Sequence, residues 1–290
     1  MSGSDGRALE AAYAASDSAL RDGDRDRWLA ALFVPADRRR HVHALGAFAL
    51  EIARVRDQVR DPMPGEIRLR WWADALEGGG HGDVGGHPIA AALLDTIARF
   101  QLPVPALVAM IEARRFDLYD DPMPTLNDLE GYTGETASAL FQQVAIVLAG
   151  GADPATADAS GHAGVAYALT GLMRALPIHA RRGQCFLPVD LLARHGADPG
   201  MIRAAVATPE IRAALAELRE HARHHLARAL DRIASVSPSV RPGYVGLGLV
   251  EPYLAALEKQ ADPFATVAEV AGWRKPPRLW VFARNLARSG

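Results

Sequence analysis

A single period runs through almost the whole chain. Between Pro35 and Trp72, the residues Leu45, Phe48, Ile52, Val55 and Val59 recur at steps of three and four, which marks one face of a helix. Similar stripes continue toward the C-terminus, among them Val165, Leu169, Leu172, Met173 and Leu176. No convincing run alternates apolar with polar residues, so the sequence predicts an all-α fold whose helices bury their faces against one another. Together with the proline and glycine breakers, the period predicts helices over 6–21, 24–33, 35–61, 65–77, 88–100, 103–119, 125–149, 158–181, 189–195, 208–234, 241–259 and 277–288. Asp24 is a candidate cap, Pro35 suits a first helical turn, Pro62 marks a stop near Asp61, and Pro177 should kink its helix. On the helix over 35–61, Ala53 and Asp57 are four residues apart and would stack on one side.

A hydrophobic content of 49% in 290 residues supplies a substantial core. No repeat and no long linker divides the chain, which reads as one domain over 24–290 preceded by an N-terminal helical extension over 1–23. The net charge of −2 makes no general case for a nucleic-acid partner. Lys259 and Lys275 are the only lysines, which together with the abundant alanine reads as coding bias of a GC-rich genome. The single cysteine, Cys185, excludes an internal disulfide and fits a reducing compartment. No neighbouring His or acid activates it, so it reads as a small buried residue. No apolar run reaches the ~18 residues of a membrane span. The N-terminal stretch has no apolar signal segment, and its acids argue against a mitochondrial transit peptide. A cytoplasmic protein is expected.

Most chemistry-bearing patterns have a plain structural reading. The glycine-rich stretch Gly78 to His87 lacks the Gly-Lys-Ser/Thr ending of a phosphate loop and reads as a connector. Trp71 and Trp72 read as packing. His221 and His225, with His224 between them, have the i,i+4 spacing used for zinc on a helix. The intervening glutamate of the metalloprotease motif is absent and no third ligand is evident, so the pair reads as a solvated helix face. In the C-terminal segment, Arg274, Lys275, Arg278, Arg284 and Arg288 are uninterrupted by acids, and Leu279, Phe282 and Leu286 share a face beside Trp280. That helix is either a peripheral membrane or partner contact, placing the chain at the inner membrane, or a terminal helix docked on its own core.

Two segments carry a more specific signal. ALGAFALEIARVRD, from Ala44 to Asp57, and GVAYALTGLMRALPIHARRGQCFLP, from Gly164 to Pro188, resemble the two signature segments of the squalene/phytoene synthase family. Those segments read ALYAFCRxxDDxxD and GxAxQLTNILRDVxEDxxRGRxYLP. The resemblance extends to LFVPADRR, to FDLY at Phe116 to Tyr119, and to DLEGYTGETASAL around Tyr132, covering the chain from about Trp28 to Pro188. It implies a single isoprenoid-synthase-type bundle of helices around a deep apolar cavity. Two aspartate-rich segments would face each other across its mouth and bind substrate diphosphates through Mg2+, a hard cation that prefers oxygen ligands. The metal would assist departure of diphosphate, and the allylic cation would react in a dry cavity.

Carried over residue by residue, the resemblance leaves the framework and removes the ligands. Ala53 and Arg54 stand where the first two aspartates belong, and only Asp57 remains. In the second segment Leu169, Thr170, Arg174, Arg182, Gly183, Phe186, Leu187 and Pro188 agree, whereas Ala175, Ile178 and His179 replace the acids. Ala168 and Gly171 replace the usual Gln and Asn. Asp57 is thus the sole remnant of the catalytic and metal-binding set, and Asp117 is a further acid without an assigned place. Arg54, Tyr132, Arg174, His179 and Arg182 are candidates for contact with a diphosphate, Arg54 and His179 as cations meeting phosphate without metal. Phe48, Ala53, Ala137, Leu140, Ala168, Gly171 and Ala175 are candidates for lining the cavity.

The stretch EIARVRDQVRDPMPGEIRLRWWADAL resembles a divergent branch of the family that includes a mitochondrial complex I assembly factor and keeps the fold without the aspartates. The expectation is a pseudoenzyme that needs no cofactor. It would bind an isoprenoid or lipid in the inherited cavity, or a respiratory-complex subunit. The alternative is an active Mg2+-dependent prenyl-diphosphate transferase performing head-to-head condensation.

Overall fold

The computed structural model describes residues 3–79 and 84–288, with side chains from residue 6 onward. The middle of the predicted glycine-rich connector, residues 80–83, lies outside the described residues. In chain order the helices are α1 (Gly3–Gly23), α2 (Arg25–Ala31), α3 (Ala36–Ala53), α4 (Pro62–Glu77), α5 (Pro88–Phe100), α6 (Val104–Ala113), α7 (Leu126–Thr133) and α8 (Ala139–Leu148). They continue as α9 (Ala157–Arg174), α10 (Leu176–Arg181), α11 (Val189–Arg194), α12 (Pro199–Arg203), α13 (Pro209–Ile233), α14 (Val250–Glu258) and α15 (Lys275–Arg288). No strand occurs among the described residues, and the all-α expectation holds.

Local chemistry explains where these helices start and stop. Asp24 caps α2 by accepting from the Arg27 amide at 3.0 Å. Thr125 and Asp128 form a reciprocal capping box on α7. His87, at the end of the connector, caps α5 through Nδ1, which accepts from the Ala90 amide at 3.3 Å. Gly78, at φ +80°, ends α4 in a left-handed turn.

Two central helices organise the packing. α3 is buried on almost every side from His41 to Ala49 and is surrounded by α1, α2, α5 and α8. α9 lies against α8, α13 and α14. Fully burying a side chain such as Phe48 or Leu169 contributes about 1.5–3 kcal/mol relative to leaving it in water. α1 is locked into this bundle: Leu20 is completely buried, and the Tyr13 hydroxyl donates to Asp95 at 2.5 Å and lies 2.9 Å from His41 Nδ1.

Five predicted helices are broken; those over 103–119 and 125–149 are interrupted by a 3-10 turn at Arg114–Leu118 and a π turn at Gly134–Ser138. The one expected over 35–61 ends at Ala53, and Val55–Gln58 form a 3-10 turn. Val55 is still buried, so the apolar period runs on after the helix has stopped. Ala53 and Asp57 therefore do not stack along one straight helix. The helix expected over 241–259 begins as a nine-residue 3-10 segment, Arg241–Leu249. There Gly248 admits Phe282 of α15 so closely that a Cβ would lie 2.8 Å from the ring. The helix expected over 158–181 breaks at Ala175, ahead of Pro177 in the first turn of α10, where the missing N–H costs nothing.

In the C-terminal segment, α15 docks on the protein by the apolar face read from the sequence, while Trp273, Trp280 and Val281 stay exposed. Leu279 and Leu286 are buried and Phe282 packs on Gly248, so the shared apolar face docks on the protein's own core. Lys275 is buried as well, with Nζ 2.7 Å from Asp26 of α2. The apolar face proposed for membrane contact is thus already occupied, and no described helix is long and apolar enough to cross a membrane.

Several buried histidines make stability pH-dependent. Burial lowers His41, His179 and His225 from 6.5 to about 4, and lowers His43 and His162 as well. A depressed histidine favours the fold when neutral, so its contribution is complete above pH ~6.5 and is lost as pH falls toward 4. Asp117, raised by burial, acts in the opposite sense, but it is one group against five. The urea midpoint is expected to be clearly lower at pH 5 than at pH 7.5; equal midpoints would show that these rings are not buried as neutral groups.

Candidate functional site

The two segments singled out in the sequence meet across one end of the bundle. α3 stops at Ala53, and the following 3-10 turn presents Asp57. On the other side α9 ends at Arg174 and α10 leads to Arg182. Arg182 Nη1 donates to Asp57 Oδ1 at 2.5 Å, joining residues 125 apart in sequence. The surviving carboxylate is therefore paired with a guanidinium from the opposing segment.

The remaining candidates spread over three environments. His179 packs on Phe186 with ring centroids 4.5 Å apart, and burial, reinforced by Arg182, lowers its pKa to about 4. In this setting the ring is held neutral, by burial first and by Arg182 second. The Tyr132 hydroxyl donates to Asp117 at 2.7 Å and accepts from Arg114 at 2.6 Å. Arg114 also donates to Asp117, and Gln184 donates to the Asp117 carbonyl. Asp117 thus finds its place as the buried hub of a polar cluster. Burial keeps its carboxyl above the usual range even beside Arg114. Arg54 is exposed and donates to the Gly23 carbonyl at 3.0 Å.

Arg174 belongs to a polar crevice of about 410 Å³ that sequence reasoning missed. Its guanidinium lies 3.5 Å from the centre of the Tyr253 ring and donates to Ala268 and Glu269. Lys275 and the Tyr253 hydroxyl both donate to Asp26. Each acid here faces a cation or a hydroxyl. Gly171 borders this crevice and not the apolar cavity. The partners of Arg174 come from α2 and from the C-terminal third, where no motif pointed to them.

The central cavity adjoins the crevice. Ala137 and Leu140 line it together with Arg27, Phe141 and Tyr167, and its volume is about 50 Å³. Tyr167 and Gly246 border both spaces. Phe48 does not line the cavity: it is fully buried against Trp72, with ring centroids 5.3 Å apart. Ala53, Ala168 and Ala175 are half-buried and stand outside the lining. Ligand pockets generally have volumes of about 300–1,000 Å³, and this cavity is well below that range.

These donors do not fit a magnesium-diphosphate centre. Mg2+ takes oxygen ligands in a near-octahedral shell, and a two-segment site needs carboxylates on both sides. Here one side offers Asp57, already bound to Arg182, and the other offers Ala175 and a neutral His179 packed on a phenyl ring.

A second cluster lies on α7, α9 and α13. His221 Nε2 is 2.6 Å from Glu130 Oε1, and His225 is buried beside them. The reading of this histidine pair as a solvated face is corrected by a third residue, Glu130, 91 positions away from His221 in sequence. Cys185 is buried, and burial pushes its thiol up to about 11, consistent with a packing role.

Comparison with known proteins agrees with this architecture. The family model for squalene/phytoene synthase matches residues 20–280, and the chain belongs to that family. The chain is 28% identical over 240 residues to "NADH dehydrogenase (ubiquinone) complex I, assembly factor 6" of Rattus norvegicus, covering 83% of this chain and 72% of that one. It is 27% identical over 253 residues to the phytoene synthase of Arthrospira platensis, covering 80% of each. The crystal structure of squalene synthase HpnC from Alicyclobacillus acidocaldarius superposes with a TM-score of 0.73 at 24% identity, covering 87% of this chain and 95% of that one.

Proposed function

We propose that this chain is a non-catalytic member of its family that assists respiratory complex I assembly by binding a protein partner. One observation carries the reading: the remaining family carboxylate, Asp57, is paired with Arg182 of the facing segment. The alanines at 53 and 175 offer nothing to restore a metal shell. The similarity to assembly factor 6 supplies the direction. The small cavity favours a protein partner over an isoprenoid or lipid guest. No cofactor is required in this reading.

The partner would sit on the outward stripe of α4. Met63 and Ile67 are 74% and 65% exposed, and Trp71 follows one turn later beside an open groove of about 550 Å³. This stripe lies within the stretch that resembles the assembly-factor branch. In a strain lacking the gene, complex I activity should fall and be rescued by the wild type and by Asp57→Ala, but not by Ile67→Glu, whose melting temperature should be unchanged.

The alternative reading, a prenyl-diphosphate transferase, is favoured by the crevice holding Arg174 and Lys275 directly beside the apolar cavity. Purified protein given farnesyl or geranylgeranyl diphosphate, Mg2+ and NADPH should release no pyrophosphate. Turnover that Asp57→Ala abolishes would replace the first reading with the second.

A further inference from the structure

Glu130, His221 and His225 share no residue with the ion pair at the mouth. His221 and His225 project from adjacent turns of α13. Both reach the same carboxylate oxygen of α7: His221 Nε2 is 2.6 Å and His225 Nε2 3.8 Å from Glu130 Oε1. All three ligand atoms lie within 4.8 Å of one another.

We propose that Glu130, His221 and His225 form a zinc site that staples α13 to α7. Zinc bonds of about 2.0–2.1 Å in tetrahedral geometry place ligand atoms about 3.3 Å apart. The short contact would open by about 0.7 Å and the long one close by about 0.5 Å, within the reach of side-chain adjustment. Two imidazoles and one carboxylate suit zinc, whereas Mg2+ and Ca2+ seek oxygen shells.

The surroundings match those of a ligand histidine. His225 Nδ1 lies 3.0 Å from His162 Nδ1 on α9. With Nε2 offering its lone pair to the metal, His225 carries its proton on Nδ1 and donates it to His162. This is the outer contact that fixes tautomer and ring orientation in metal sites. A hollow of about 260 Å³ bordered by His221, His224, Glu217 and Glu220 opens on the His221 side of the cluster. The site holds α7, α9 and α13 together and does not depend on the functional reading above.

The test uses tag-free full-length protein, stripped with chelator and titrated with zinc chloride in a calorimeter. One ion per chain is expected, with a dissociation constant below about 1 µM and a raised melting temperature. His221→Ala, His225→Ala and Glu130→Gln should each weaken binding by more than tenfold, and His162→Phe by about tenfold or more. Glu130→Gln keeps the shape and hydrogen-bonding reach of the side chain, so it reports on the metal even where a histidine variant fails to fold. Bound Co2+ should show the visible bands of a four-coordinate ion and lose them in Glu130→Gln. No binding at about 100 µM zinc, or binding of equal strength in wild type and Glu130→Gln, overturns the proposal.

Discussion

Replacing Gly164 by alanine is expected to destabilise the protein by about 3 kcal/mol or more and to lower its melting temperature by about 6–12 °C. Gly164 lies on α9 where that helix crosses the π turn Gly134–Ser138 between α7 and α8. A Cβ there would lie 2.2 Å from the Ser138 amide nitrogen and 2.3 Å from its Cα. Those atoms are backbone, so no rotamer change relieves the overlap. The contact is held from both sides, because Ser138 Oγ donates to the Gly161 carbonyl at 2.8 Å. Gly171, on the same helix, has nothing within 4 Å of its Cβ position, and Gly171→Ala serves as the control. Thermal melts of the two variants separate a steric cost from a change in helix propensity. A Gly164→Ala protein that melts within about 2 °C of wild type would contradict this packing.

Asp117→Ala should be the most damaging polar substitution, at about 3–5 kcal/mol. It removes the acceptor of Tyr132 and Arg114 and leaves Arg114, only 22% accessible, without its counter-charge. Arg114 Nε already has no hydrogen-bond partner, so little can compensate. The double variant Arg114→Met with Asp117→Leu should recover most of the loss, because replacing a buried pair by apolar groups is often close to neutral. Urea unfolding of the single and double variants reads both quantities. A mild Asp117→Ala, or a double variant no better than the single, would mean that this cluster is more solvated than its geometry indicates. The exposed Asp57–Arg182 pair provides the contrast. Its side chains are 43% and 39% accessible, and such a pair contributes only about 0–1 kcal/mol.

The helices were legible because burial follows a period that the chain repeats nearly everywhere. The breaks were harder to see. Val55 and Val59 prolong the stripe of α3 by steps of three and four, yet the backbone tightens to 3-10 after Ala53. An apolar step of three suits either geometry, so periodicity alone does not separate them. The facing of the two signature segments was also legible, from the resemblance, but the pairing of Asp57 with Arg182 was not. It depends on how two chain ends approach across 125 residues. The same holds for Glu130: an i,i+4 histidine pair is visible within five residues, whereas its carboxylate partner comes from another helix. Phe48 illustrates the opposite error. A large apolar residue on the central helix reads from the sequence as cavity wall, but the packing turns it toward Trp72.

The π turn between α7 and α8 has a consequence for length. Each added residue in a helix advances the side-chain direction by about 100°. One wide turn therefore lets a nearly continuous rod change the face it presents. Before the turn, Tyr132 points to Asp117 and Arg114; within and after it, Ala137 and Leu140 border the cavity. What Gly134–Ser138 stores is register. Substitutions there change one side chain, whereas a single-residue deletion would re-phase all of α8 against α3 and α9.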